Sequence, residues 1–205
     1  MKIVKIEKSK HKQERVLVYP EEGSPLRITE AELLQFGLYQ GMELSDALAA
    51  ELQAAGKKSE LRVKAAHMVS SRMLSKKELA DRLTKKGADA EEASAAADWL
   101  ADLGAVNDAA YAGVIVRHYG AMGYGAGRVR QELQRRGVPR ELWDEALTEL
   151  PDPADSIRSF IRSKLRGKRL DPAMSKKLSD ALLRRGFRWN DIRPILNEFG
   201  QDIEE

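Results

Sequence analysis

The sequence arranges its cations by position. Two basic residues directly precede each of three glycines: Lys85–Lys86 before Gly87, Arg135–Arg136 before Gly137, and Arg184–Arg185 before Gly186. More cations gather around these pairs, at Lys76, Lys77, Arg162, Lys164, Arg166, Lys168, Arg169, Lys176, Lys177 and Arg188. Clustered ammonium and guanidinium groups attract phosphates or an acidic protein face. A basic pair in the last turn of a helix also complements the helix dipole, and scattered charge can serve only as a solvated surface. The dipole does not require two cations in all three places. These sixteen side chains are therefore the candidate surface for a partner or a polyanion.

No catalytic chemistry stands beside them. The chain has no GxxxxGK[ST] and no GxSxG pattern. "GYGAG" at 123–127 looks like a phosphate loop but lacks the preceding strand, and reads as a turn before a helix. Glu91–Glu92 sit at a helix start and need no catalytic role. His11, His67 and His118 lie far apart, and there is no cysteine, so neither a metal site nor a disulfide is expected. No cofactor is expected either. The N-terminus has no apolar core of a signal peptide, and no stretch approaches 18 apolar residues in a row. The net charge is +3, but residues 151–195 hold twelve Lys/Arg against five Asp/Glu, whereas residues 1–60 hold nine against ten. The cations are concentrated late in the chain.

The three glycines are spaced by 50 and 49 residues. Four residues before each stands Leu83, Leu133 or Leu182; eight before stands Leu79, Val129 or Leu178. Apolar residues at i and i+4 share one helix face, and glycine suits the left-handed residue that ends a helix. Another helix follows each glycine. Asp89 with Glu92 caps the first, Pro139 fits the first position of the second, and Asn190 caps the third, with Pro194 in its first turn. Each carries a tryptophan (Trp99, Trp143, Trp189), expected to anchor the core. A further helix precedes each middle one, over 61–73, 107–119 and 155–166. The chain thus repeats a three-helix unit of about 50 residues.

Ahead of the repeats, "KIVKIE" and "ERVLVY" read as a β-hairpin and "LRI" as a third strand. Thr29 and Glu32 form a capping box for a short helix through Phe36. Residues 45–55 read as a helix, and Gly56–Ser59 as a polar hinge. The reading is a mainly α protein in which tandem three-helix repeats form an elongated curved array behind a small N-terminal β-hairpin and helix unit. The expected domains are 1–58, 59–104, 105–151 and 152–205.

The order of phrases is distinctive. "SRMLSKKELADRLTKKG", a helix ending "WLADLGAVNDAAYA", "GAGRVRQELQRRGV" and finally "LLRRGFRWNDI" resemble the RecX family, the regulators of the RecA recombinase. "ITEAELLQFGLYQGMEL" is similar to the extension of its longer members. Asn107–Asp108 stands where the family has two aspartates; asparagine can still cap. The resemblance implies a cytoplasmic, monomeric, non-enzymatic protein that binds RecA and its nucleoprotein filament and inhibits recombinase and ATPase activity, modulating recombination and DNA repair. Direct contact with DNA is part of that expectation; a membrane is not. The residues alone leave a second reading open, a stand-alone DNA-binding protein with basic helix-turn-helix-like repeats.

Overall fold

Alternating apolar residues build the first element. The structure, a computed structural model, describes residues 1–10, 15–167 and 169–201. His11 and the candidate cation Lys168 lie outside the described residues. Strands β1 (Ile3–Lys8), β2 (Arg15–Pro20) and β3 (Leu26–Thr29) form an antiparallel sheet in that order, with an irregularity between Ile3 and Lys5. Val16, Val18 and Ile28 point to one face, and with Ile3, Leu38, Leu44 and Leu52 they close a small core. Helix α1 (Glu30–Gln35) starts at the expected capping box. The Glu32 backbone N–H donates to Thr29 Oγ1 at 3.1 Å, and the Thr29 N–H donates to Glu32 Oε2 at 2.7 Å.

The expected hinge is absent. Helix α2 runs unbroken from Asp46 to Ser71, joining the two helices read at 45–55 and 61–73. Tertiary contact explains why residues 56–59 stay helical. At Gly56, an added Cβ would lie 2.2 Å from the Arg27 carbonyl oxygen, so the missing side chain lets the helix rest on β3. Buried Arg15 on β2 donates to Ser59 Oγ at 2.7 Å and reaches the Gly56 carbonyl at 3.4 Å. The polar residues that suggested a hinge are solvated on one side and tied to the sheet on the other.

The remaining helices are α3 (Lys76–Lys85), α4 (Ala90–Asp102), α5 (Asp108–Ala121), α6 (Ala126–Arg135), α7 (Trp143–Leu147), α8 (Pro153–Leu165), α9 (Pro172–Arg184) and α10 (Trp189–Gln201). The described residues form two compact units: Met1–Arg72 with Leu79–Ala105, and Met73–Glu78 with Val106–Glu205. In the first, α4 packs along α2, and Ala65, Ala93, Ala96, Ala97 and Leu100 are buried. The second holds two cores. Tyr111, Ile115, Val116, Val129, Leu133 and Val138 make one, and Ile157, Ile161, Leu178, Leu182, Phe187, Ile192 and Leu196 the other. Each fully buried aliphatic side chain contributes about 1.5–3 kcal/mol.

The three glycines end their helices as the pattern predicts. Their φ values are +93°, +66° and +87° at Gly87, Gly137 and Gly186. The N–H of the following residue reaches back to the aligned leucine: Ala88 to Leu83 (3.1 Å), Val138 to Leu133 (3.0 Å), Phe187 to Leu182 (3.2 Å). That bond with the left-handed glycine is a Schellman motif.

The caps differ in detail. Asp89 caps α4, accepting from the Glu91 and Glu92 N–H groups. Pro139 does not start a helix; its ψ of 139° is extended, and a 3₁₀ turn over Arg140–Leu142 precedes α7. Helix α10 begins at Trp189, so Asn190 lies inside it rather than capping it. The Ile192 N–H donates to the Arg188 carbonyl, which places Pro194 beyond the first turn. Trp189 is also not a core anchor: it is 48% exposed. Phe187 already fills the core at that turn, and Ile192, Ile195 and Leu196 supply the buried stripe of α10.

Candidate partner-binding surface

The candidate cations divide by what the fold does with each charge. In the last turn of α6, Glu132 is buried and gathers guanidiniums. Its Oε2 accepts from Arg135 at 2.7 and 2.9 Å, and its Oε1 accepts from Arg128 at 3.0 Å. Burial alone would raise the Glu132 pKa; the hydrogen bonds from Arg135 and Tyr119 outweigh it and hold the carboxyl below its ordinary value. Arg136 is half-buried and donates to Tyr111 Oη at 2.6 Å, while Tyr111 donates to Glu78 at 3.0 Å. Burial first of all raises the Tyr111 pKa, which keeps the phenol protonated as a donor.

The turn after α9 uses its pair differently. Arg185 donates to the Met122 and Gly123 carbonyls, both at 3.0 Å, and its guanidinium lies 5.1 Å from the Tyr124 ring centroid and 4.8 Å from that of Phe160. Stacked between two rings, it is a structural residue. Arg184 is exposed and pairs with no carboxylate among the described residues.

"GYGAG" is a docking strip, as well as the turn read from the sequence. Gly125 precedes α6, and its N–H donates to the Arg185 carbonyl at 2.9 Å; the Gly127 N–H donates to the Gly186 carbonyl at 3.0 Å. A Cβ on Gly125 would lie 2.6 Å from the Gly186 oxygen, and one on Gly186 would lie 2.1 Å from the Arg128 nitrogen. The glycines are where two backbones touch. A related bond occurs at Ser75, whose hydroxyl donates to the Arg136 carbonyl, while the Lys77 side chain covers Gly137. Thus Lys77 and the Arg135–Arg136 turn, far apart in sequence, come together.

Of the rest, Lys85 and Lys86 are exposed at the end of α3. Lys86 lines a groove of about 440 Å³ with Lys57, Lys64, Glu60 and Glu92, where charges of both signs meet. Lys76 is exposed, and its backbone N–H donates to Asp108 at 2.8 Å. Arg162, Lys164, Arg166 and Arg169 are exposed at the end of α8 and beyond it; Lys176 and Lys177 are exposed on α9, and Arg188 is exposed before α10. Arg166 takes the left-handed conformation at φ 47°. Lys177 and Arg184 lie seven residues apart on one face of α9.

Sequence reasoning missed the acidic and aromatic residues that neutralise the turns: Glu78, Asp108, Tyr111, Tyr124 and Glu132. Their signal was tertiary, except at Glu132, where an acid three residues before Arg135 marks an intrahelical pair. Asn107 and Asp108 have separate jobs. Asn107 caps α5 through the Ala110 N–H at 2.9 Å, and Asp108 receives the first N–H of α3.

Comparison with known proteins bears on this arrangement. Models of the first and second three-helix domains of RecX match residues 62–100 and 107–147. A Regulatory protein RecX of Geobacillus kaustophilus is 32% identical over 197 residues, 92% of this chain and 73% of the relative. The chain belongs to the RecX family. A Regulatory protein RecX of Streptococcus gordonii is 28% identical over 208 residues, spanning all of this chain and 79% of the relative. A crystal structure of a regulatory protein RecX superposes with a TM-score of 0.80 at 23% identity, covering 96% of this chain and 98% of the other, which shows the shared fold. As a RecX protein this is a member of a regulatory family. Among the described residues no helix is long and apolar enough to cross a membrane, and no cluster of three potential ligands could hold a metal ion.

Proposed function

We propose that this protein is a cytoplasmic, monomeric modulator of RecA, binding the recombinase and its filament on single-stranded DNA and lowering recombinase and ATPase activity without catalysis of its own. Its membership of the RecX family carries the reading; the relatives bear the name Regulatory protein RecX. The exposed cations Lys85, Lys86, Lys176, Lys177, Arg184 and Arg188 support it physically. Cations repeated along one chain multiply weak contacts with a polymeric partner through effective concentration. Their targets are DNA phosphates or acidic protein surface. Division of the helical part into three units belongs to the same proposal.

The test is RecA's single-strand-dependent ATP hydrolysis, with this protein titrated from sub-stoichiometric ratios. Inhibition well below one molecule per RecA is expected. Unchanged hydrolysis alongside tight, salt-sensitive binding of bare duplex DNA would replace the proposal with a stand-alone DNA-binding protein.

A further inference from the structure

The three indoles have different surroundings. Trp143 is half-buried and its Nε1–H donates to the Val138 carbonyl at 2.9 Å. Trp99 is half-buried, with the Arg62 guanidinium 4.6 Å from its ring. Both have their polar or π surface occupied from within the protein. Trp189 is 48% exposed, and no ring contact or hydrogen bond to its indole occurs among the described residues. It shares a helix face with Ile192 and Leu196, three and seven residues on, both buried. About half of the residue's surface is covered by the fold and the rest is open to solvent.

The charged residues that flank it in sequence are mostly basic, although Arg188 lines a groove that also holds Asp144 and Asp191. Arg188 precedes it, Arg193 follows by one turn, and Arg184 ends the preceding helix; all three are exposed. None pairs with a carboxylate among the described residues. Asp191 is the acid within this stretch, and residues 184–193 hold four arginines against it. On the other side of α8 and α10, Arg158 is neutralised by both oxygens of Glu198 at 2.9 and 3.1 Å. Among the described residues, Arg184, Arg188 and Arg193 thus lack the carboxylate partner that Arg158 has.

We propose that Trp189 is a stacking platform for an unpaired base of single-stranded nucleic acid, with Arg184, Arg188 and Arg193 holding the flanking phosphates. A flat, half-exposed indole offers a π-face that any base can cover. Surrounding guanidiniums supply the charge that tracks the backbone. A duplex keeps its bases stacked and offers only its phosphates here, so the indole favours single strands. An acidic protein face would use the arginines and leave the ring without a partner. This deepens the proposed function, since it places the contact on the single strand rather than on the recombinase, and it is tested without RecA.

The measurement is fluorescence anisotropy of a labelled oligothymidylate, and of a duplex as control, with full-length protein and its Trp189→Ala and Trp189→Phe variants. Trp189→Ala weakens single-strand binding about tenfold, Trp189→Phe retains most of it, and duplex binding changes little. Quenching of intrinsic tryptophan emission by oligothymidylate is present in the wild type and lost in Trp189→Phe, whose conservative ring protects the fold. Unchanged single-strand affinity in Trp189→Ala overturns the proposal. So does an equal loss on duplex, which marks a phosphate surface only. Weakened RecA binding with intact single-strand binding assigns the patch to protein and overturns it as well. Loss of ATPase inhibition is a separate readout, so this platform and RecA regulation can fail independently.

Discussion

The turns after α6 and α9 share a sequence phrase and treat its charge in opposite ways. Five residues before the glycine, α6 has Glu132 and α9 has Ala181. The carboxylate pulls Arg135 and Arg128 onto itself, and Arg136 is drawn into the protein by Tyr111. With alanine there, Arg184 stays in solvent and Arg185 turns to carbonyls and rings. The residue five before the glycine bears on the first cation of the pair, Arg135 held by a carboxylate and Arg184 left in solvent, while the fold uses the second, Arg136 or Arg185, in both turns. A cationic motif therefore reports a surface only after its acids have been found.

The largest effect expected from breaking this comparison is at the glycines. Gly186→Ala brings Cβ to 2.1 Å from the Arg128 backbone nitrogen. Left-handed strain of about 1–2 kcal/mol and a forced backbone shift of about 1–3 kcal/mol should together appear in urea unfolding. Gly137→Ala brings Cβ to 2.7 Å from the Lys77 Cβ, which is fixed to its backbone, so it should cost the strain plus a local shift, less than at Gly186, where the clash is with a backbone nitrogen. Equal losses would show that the two docked turns are equivalent.

Removing the charge sink comes next. Glu132→Gln should destabilise by about 2 kcal/mol at neutral pH, because three guanidiniums lose a buried partner. The folded-state carboxyl titrates below its ordinary value of 4.5. Its stabilising contribution is present above that value and is lost as pH falls through the lower folded one. Wild type and variant should converge in urea midpoint on acidification; a constant gap would mean that the carboxylate's charge is not what stabilises the turn.

The binding consequence is smaller. Arg184→Ala should weaken filament affinity about fivefold with an unchanged helical CD spectrum, whereas Arg135→Ala should change it less than about twofold. A larger effect at Arg135 would invert the division between spent and free cations. Charge reversal at both Arg184 and Arg185 weakens binding too, but mixes surface with structure, since Arg185 holds the α5–α6 turn.

The smallest effect is at the end of α8. Arg166→Gly should stabilise by about 1 kcal/mol by relieving the left-handed backbone at φ 47°. If that exposed cation also contacts the filament, affinity falls while the melting temperature rises.

Local rules made much of this fold legible. Leucines at i and i+4, glycines at helix ends, the Thr29 box and the Asp89 cap are decided within a few residues of chain. What stayed hidden depends on distant partners. Gly56–Ser59 reads as a hinge until Arg15 and the Arg27 carbonyl are placed beside it. Gly125 and Gly127 read only as a turn before a helix until Gly186 is found against them. Trp189 reads as core because each copy of the pattern carries one tryptophan after its glycine, yet Phe187 takes its place. The candidate surface was legible as composition; which of its members the fold uses was set by Glu132 within α6 and otherwise by acids and rings remote in sequence.

The uninterrupted α2 also bears on the order of synthesis. Its first half rests on a sheet completed before it, while the partner of its second half, α4, is made only at residues 90–102. At about 5–20 residues per second, a nascent chain holds a half-docked helix for roughly 2–6 seconds. During that interval its later half is an open apolar stripe. Released chains ending just after Ser71 should be cut by protease in the second half of α2 and protected in the first, and released chains extended past Asp102 should be protected throughout.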